Sequence, residues 1–179
     1  MRSILFAVAT LVAGTLIGCS SVSVTTDYDP AHDFSNLRTF TIDTDIKDPN
    51  NVLPKDPLAV ERVRAALSAG LVQRGMKEVP SGADLLVGVY AGVKEKLNVY
   101  NSGGGYGYRG YWGAPSTTTV TTSTDVTLFF DMYDTKEKKL VWRGSGTGAL
   151  DQHVTPQEKT ERINEAVNAI LEDFPPRKK

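Results

Sequence analysis

Apolar and polar residues alternate along Val22–Thr26, the period of two expected of a half-buried strand. Leu37–Ile42 repeats that pattern, with Phe40 and Ile42 on one side. Between the two runs, Asp27-Tyr28-Asp29-Pro30 supplies turn chemistry: short carboxylates that bond to nearby backbone, then a residue of fixed φ. Residues 43–56 are rich in Asp, Asn and Pro and read as a loop. The period then changes. Val60, Val63, Leu67 and Leu71 recur at helical spacing, flanked by Ala59 and Ala66, while Glu61, Arg62, Arg64, Gln73 and Arg74 form the polar side. Asp56 is the expected N-cap and Pro57 the first helical residue, where a missing N–H costs nothing. Gly75 fits the position just past the helix end.

Asp84–Val93 is almost continuously apolar and predicts a strand central in its sheet. A second long extended run covers 116–134, where Thr and Val dominate. Within it Val120, Val126, Leu128, Phe130 and Met132 share one parity and are expected to face the core. Thr127, Phe129, Asp131 and Tyr133 take the other face. A polar turn over 134–139 leads into a returning strand from Leu140 to Gly148. Thr155-Pro156-Gln157-Glu158 is a capping box, and Ile163, Ala166, Val167, Ile170, Leu171 and Phe174 form one helical stripe before Pro175-Pro176. The order strand, strand, helix, three strands, helix predicts an α+β fold. The expected architecture is an antiparallel sheet of about five strands with two helices packed on one face.

The N-terminus has a different character. Arg2 precedes an uncharged, mostly apolar run from Ile4 to Ile17. A run of that length is short of the ~20 residues needed to span a bilayer, and it suits the apolar region of a secretory signal peptide. It ends in Leu16-Ile17-Gly18-Cys19, which resembles the bacterial lipobox. That resemblance implies a diacylglyceryl group on the Cys19 thiol, removal of residues 1–18 as a signal peptide, and acylation (palmitate or a similar chain) of the new amino group. Two acyl chains suffice for stable anchoring. Ser20 resembles the sorting residue of lipoproteins sent to the outer membrane, with the domain facing the periplasm. The mature protein would be one domain over 19–174, followed by a short basic tail at 175–179.

Charge and chemistry narrow the function classes. The chain of 179 residues has a formal net charge of −1, with scattered Lys and Arg, so nothing points to nucleic acid. Cys19 is the sole cysteine, which excludes an internal disulfide and any multi-cysteine metal site. Only His32 and His153 are available as imidazoles, and both read as loop residues. The sequence contains no Gly-x-Ser-x-Gly, Ser-x-x-Lys or His-Glu-x-x-His. Asp27, Asp29 and Asp33 beside His32, and Asp43, Asp45 and Asp48, read as turn formers in place of cation ligands. Neither a metal, nor a cofactor, nor an enzymatic activity is expected.

The mature chain resembles the DUF4136 family of bacterial lipoproteins over nearly all of residues 22–174. The most specific part is DVTLFFDMYDTKEKKLVWRGSGTG, residues 125–148, which is similar to that family's strand–turn–strand with a Leu-Val-Trp-Arg-Gly core. DYDPAHDFSNLRTF, and Gly75 followed by Ala83-Asp84-Leu85-Leu86-Val87, fit as well. The resemblance implies an α+β fold and an envelope location, and it brings no catalytic residue.

The segment Tyr100–Trp112 holds four of the seven tyrosines and one of the two tryptophans, within a Gly/Tyr-rich loop expected over 98–116. Aromatics with Arg dominate binding hot spots. Loops longer than about 12–15 residues are uncommon unless functional or disordered. Two readings of the loop therefore stand, a slack connection and a contact surface. Two functions follow for the chain. One is a membrane-anchored, non-enzymatic lipoprotein that binds an envelope protein or cell-wall glycan through Tyr106, Tyr108, Arg109, Tyr111 and Trp112. The other is a small-ligand-binding or hydrolytic site in the groove between sheet and helices, with Asp131 or Asp134 as its polar group.

Overall fold

The computed structural model describes residues 22–102, 117–149 and 153–176, with side chains for 22–95, 123–149 and 153–176. The strands are β1 (Ser23–Tyr28), β2 (Thr39–Asp43), β3 (Lys77–Glu78), β4 (Leu85–Ser102), β5 (Thr117–Asp134) and β6 (Lys139–Ala149), and the helices are α1 (Pro57–Gln73) and α2 (Pro156–Ile170). All six strands join one sheet in the order β1-β6-β5-β4-β2-β3. The α+β class is as expected, but the five-stranded antiparallel sheet is not what forms. β2 runs parallel to β4, with Phe40 opposite Leu85 and Ile42 opposite Val87, and parallel to the short β3. The cause is topological. A helix between β2 and β4 makes a crossover, and a crossover returns the chain parallel to the strand it left. Two-residue β3 is too short to show any periodicity in sequence.

The helices start as the sequence predicts. The Asp56 side chain accepts from the Ala59 N–H with Pro57 at the first helical position, and Gly75 takes φ +85° past the end of α1. Thr155 and Glu158 cap each other's backbone in α2. The predicted stripe runs on to Phe174, but α2 ends at Ile170. Leu171 and Phe174 are nonetheless buried beyond it. Arg74 joins the two helix ends, donating to the carbonyls of Gly70, Leu171 and Phe174 at 2.6–2.9 Å and so satisfying acceptors that a helix terminus leaves open.

One apolar cluster joins the sheet to both helices. It contains Phe40, Leu85, Val87, Val89, Phe130, Met132, Val141 and Trp142 from the strands, and Val63, Leu67, Leu71, Val167 and Ile170 from the helices. The predicted inward parity of β5 holds, most completely at Phe130 and Met132. Val120 lies outside the residues whose side chains are described. Helix α2 settles on β6 because that strand lacks side chains beneath it. A β-carbon on Gly144 would lie 2.2 Å from Trp142 Cη2 and 2.6 Å from Ile170 Cγ2, and one on Gly146 would lie 2.8 Å from Ile170.

Asp84 pins the parallel pairing. Its carboxylate accepts from the N–H groups of Arg38 and Thr39 (both 3.0 Å) and from the Thr39 hydroxyl (2.8 Å), whose oxygen in turn accepts the Asp84 N–H at 2.9 Å. The donation from the Arg38 backbone, then that from Thr39, holds the Asp84 carboxyl down at about 2. A depressed carboxyl contributes stability that is fully present above its unfolded value of about 4 and is lost as pH falls through its folded value. NMR titration of the Asp84 carboxyl is therefore expected to show a midpoint near 2, and Asp84→Asn to remove part of the stability lost between pH 4 and 2. A midpoint near 4 would show that the clamp does not hold the charged form.

Candidate functional site

Strands β4 and β5 are paired over eighteen positions, from Leu85 opposite Asp134 to Ser102 opposite Thr117. Their neighbours accompany them only part of the way. β2 flanks β4 over Leu85–Gly88, and β6 flanks β5 over Asp125–Asp134. Asn51 and Val52 bond to the backbone of Ala91 and extend the cover slightly. From Glu95 opposite Thr124 outward, eight pairs continue with no third strand among the described residues. At ~3.4 Å per residue this two-stranded arm is roughly 25 Å long. Residues 98–102, expected in the loop, are thus part of the ladder. Residues 103–116 join the two strands. Tyr106, Tyr108, Arg109, Tyr111 and Trp112 lie outside the described residues, as does Cys19.

The sheet face away from the helices carries a second group. Tyr90 and Phe129 face each other across β4 and β5 and stack, with ring centroids 4.8 Å apart and planes within 8°. Next along β5 comes Asp131, opposite Arg143 of β6. Arg143 Nε and Nη2 grip its two oxygens at 2.6 and 2.5 Å, a bidentate arrangement that only a planar guanidinium makes. The hydroxyls of Tyr90 and Tyr133 approach Asp131 Oδ2 at 3.4 and 3.5 Å. The hydrogen bond to Asp131 holds the Arg143 guanidinium above its ordinary value. Burial, then the Asp131 charge, pushes both tyrosine hydroxyls up.

Chemically this group is closed. Both oxygens of Asp131 are engaged by a cation and cannot take up a substrate proton without breaking that pair. Tyrosines held in the protonated form are poor bases. The expectation that Asp131 would stand in a groove between sheet and helices is corrected by its odd parity on β5, which turns it to the opposite face. Asp134, of even parity, lies at the end of the strand and accepts the N–H groups of Lys136 and Glu137, as a turn-forming carboxylate does. A depression of about 500 Å³ does occur where β1 meets the end of α2. Thr26, Tyr28, Glu172, Asp173, Pro175 and Pro176 line it, and neither Asp131 nor Asp134 is among them.

The remaining sequence candidates are also placed. Asp29 and Asp33 accept backbone N–H groups two residues on, and so do Asp43 and Asp48. His153 is exposed ahead of the α2 cap. His32 differs from the sequence reading. It sits in a loop, yet its side chain is only 5% exposed. Phe34, two residues on, packs against it, but the carboxylates beside it, Asp134 and Glu137, come from over a hundred residues away and no local pattern reveals them.

Arg143 and Asp131 respond unequally to truncation. The Arg143 side chain is 46% exposed and Asp131 only 5%. Losing the arginine strands a buried carboxylate, whereas losing the carboxylate releases an arginine to water. Urea denaturation is expected to show Arg143→Met costing about 1–3 kcal/mol and Asp131→Asn clearly less. Equal costs would mean that Asp131 is more hydrated than its burial indicates.

A family profile described as "Domain of unknown function (DUF4136)" matches residues 24–176. No curated protein matches the chain. Among solved structures, a PDZ domain protein from Parabacteroides distasonis is similar over 89% of this chain at 13% identity and a TM-score of 0.52. The chain spans 36% of that protein's length, and the likeness is one of fold. The PelC dodecamer from Paraburkholderia phytofirmans is similar over 84% of this chain and 94% of its own, at 12% identity and a TM-score of 0.48. A homolog of the neuraminyllactose-binding hemagglutinin from Helicobacter pylori is similar over 80% of this chain and 88% of its own, at 11% identity and a TM-score of 0.44. The chain belongs to the DUF4136 family.

Proposed function

We propose that this DUF4136 protein is a lipid-anchored bacterial envelope protein, facing the periplasm from the outer membrane, that acts by binding a partner and not by catalysis. The observation that carries the reading is the arm. Eight base-distal pairs of β4 and β5 run on without a third strand among the described residues. An isolated two-stranded ribbon has little stability of its own in water, so one that leaves its sheet is best explained by something that it meets. The chain between its ends contains Tyr106, Tyr108, Arg109, Tyr111 and Trp112, residue types suited to a protein surface or to stacking on sugar rings. The partner classes are another envelope protein or cell-wall glycan.

Anchoring rests on Arg2, the apolar run and Leu16-Ile17-Gly18-Cys19. No helix among the described residues is long and apolar enough to cross a membrane. A tether on Cys19 would raise the effective concentration of the domain at the membrane, so that a weak contact by the arm still counts. The closed Asp131–Arg143 pair supports a binding role over a hydrolytic one.

Two measurements test the parts separately. Cys19→Ala is expected to leave unprocessed or soluble protein when membranes are fractionated, and normal processing with normal membrane association would remove the anchor from the proposal. A photo-reactive residue at Tyr108 in intact cells is expected to give a discrete adduct that an exposed control at Leu58 does not. Absence of any adduct, with the protein folded and present at normal level, would make the segment a connection only.

A further inference from the structure

The loop from β1 to β2 meets the β5–β6 turn at one corner of the domain, and there a histidine lies between two carboxylates. His32 is packed edge-on against Phe34, with ring centroids 4.8 Å apart. Its Nε2 is buried and makes no hydrogen bond. The Asp134 Oδ2 oxygen lies 3.7 Å from Nε2, beyond hydrogen-bond range. Glu137 Oε2 is 3.5 Å from Nδ1. One ligand atom from each of the three residues lies within 4.8 Å of the others.

The carboxylates are arranged for a cation that is not a lysine. Asp134 spends Oδ1 on the N–H groups of Lys136 (2.7 Å) and Glu137 (2.8 Å), which fixes the carboxylate and leaves Oδ2 toward the imidazole. Such outer contacts are what orient a metal ligand. Two of the three lysines in this turn are committed elsewhere: Lys136 to Asp84 at 3.4 Å and Lys139 to Asp29. Two acidic groups thus face one neutral or protonated ring. Asp134 is nearly buried, whereas the Glu137 side chain is 57% exposed and has room to turn inward.

We propose that His32, Asp134 and Glu137 bind a divalent transition-metal ion of the zinc class, His32 through Nε2 and each acid through one oxygen, with water completing the shell. Bonds of ~2.0–2.2 Å place neighbouring ligand atoms of a tetrahedron about 3.3–3.5 Å apart, so the 3.7 Å between Nε2 and Oδ2 closes with a shift of a few tenths of an ångström. A nitrogen donor with only two carboxylates suits zinc better than calcium, which takes six or more oxygens. The ion would staple the β1–β2 loop to a turn more than a hundred residues later, which makes it a structural centre. His32 was expected as a plain loop residue, Glu137 as part of a polar turn, and Asp134 as a turn former or the polar group of a groove site; no sequence spacing joins His32 to the two acids.

The same corner would also hold a proton, with Asp134, Glu137, Asp29, Lys136 and Lys139 as the charged groups around the ring. Zinc titration separates the two. The full chain, purified in detergent and stripped with EDTA, is followed by calorimetry and thermal unfolding at pH 7.5 on addition of zinc chloride. The expected result is one ion per chain and a raised Tm, with affinity at least tenfold weaker in Glu137→Gln and binding abolished in His32→Asn. Glu137 is exposed, so its variant is expected to fold and decides the matter even if the His32 variant does not. No rise in Tm with zinc overturns the proposal. So does an equal rise in wild type and both variants, which places the ion elsewhere. Stabilisation by acid below neutrality that needs His32, with zinc without effect, assigns the corner to a proton and overturns it as well.

Discussion

Two β-carbons are missing where α2 crosses β6, and the packing on that side of the domain follows from their absence. With Gly144 and Gly146 bare, Ile170 descends onto the strand and the Trp142 ring fills the space over Gly144. Trp142 is then 1% exposed and meets Phe174 edge-on at 5.2 Å. Phe174 meets Phe34 at 6.2 Å, and Phe34 meets His32. A chain of aromatic contacts thus runs from the sheet interior to the loop between β1 and β2. Arg74 holds the other side of Phe174 through its carbonyl, so both helices fix the same residue. Close packing of this kind transmits the size of one residue to the position of the next.

The two faces of the sheet have different tasks. The helix face is apolar and filled. The other face is closed by a salt bridge and a stacked pair of rings that stay partly accessible. On that face both oxygens of Asp131 are held by Arg143. What extends from this body is backbone. The β4–β5 arm projects past its neighbours because its two strands are more than twice as long as the sheet that supports them at β2. The proposed binding role for the arm and the proposed cation site at the His32 corner use different parts of the molecule.

Much of the fold was legible because it is written in local chemistry. Asp56-Pro57 and the Thr155–Glu158 box act within one helical turn, so their meaning does not depend on the rest of the chain. Strand parity at Phe130 and Met132 was legible for the same reason: the pleat has a period of two wherever the strand lies. The end of α2 was less so, since Leu171 and Phe174 keep the apolar stripe going after the backbone has left the helix. The parallel pairing of β2 was missed, since an antiparallel sheet was expected; the Asp84–Thr39 clamp that sets its register spans 45 residues and has no sequence signature.

The sequence by itself determined both helices, five of the six strands and the α+β class, because propensity, capping and periodicity are properties of neighbouring residues. It also contains the N-terminal lipobox-like run and the aromatic segment on which the functional reading rests. Only the tertiary structure decided which partner each carboxylate met. Asp131 went to Arg143 on the face away from the helices, and Asp134 went beside His32 at the corner. Those partners are twelve and about a hundred residues apart, joined by sheet register and by aromatic packing. Coulomb and hydrogen-bond energies act over a few ångströms of space, whatever the distance along the chain.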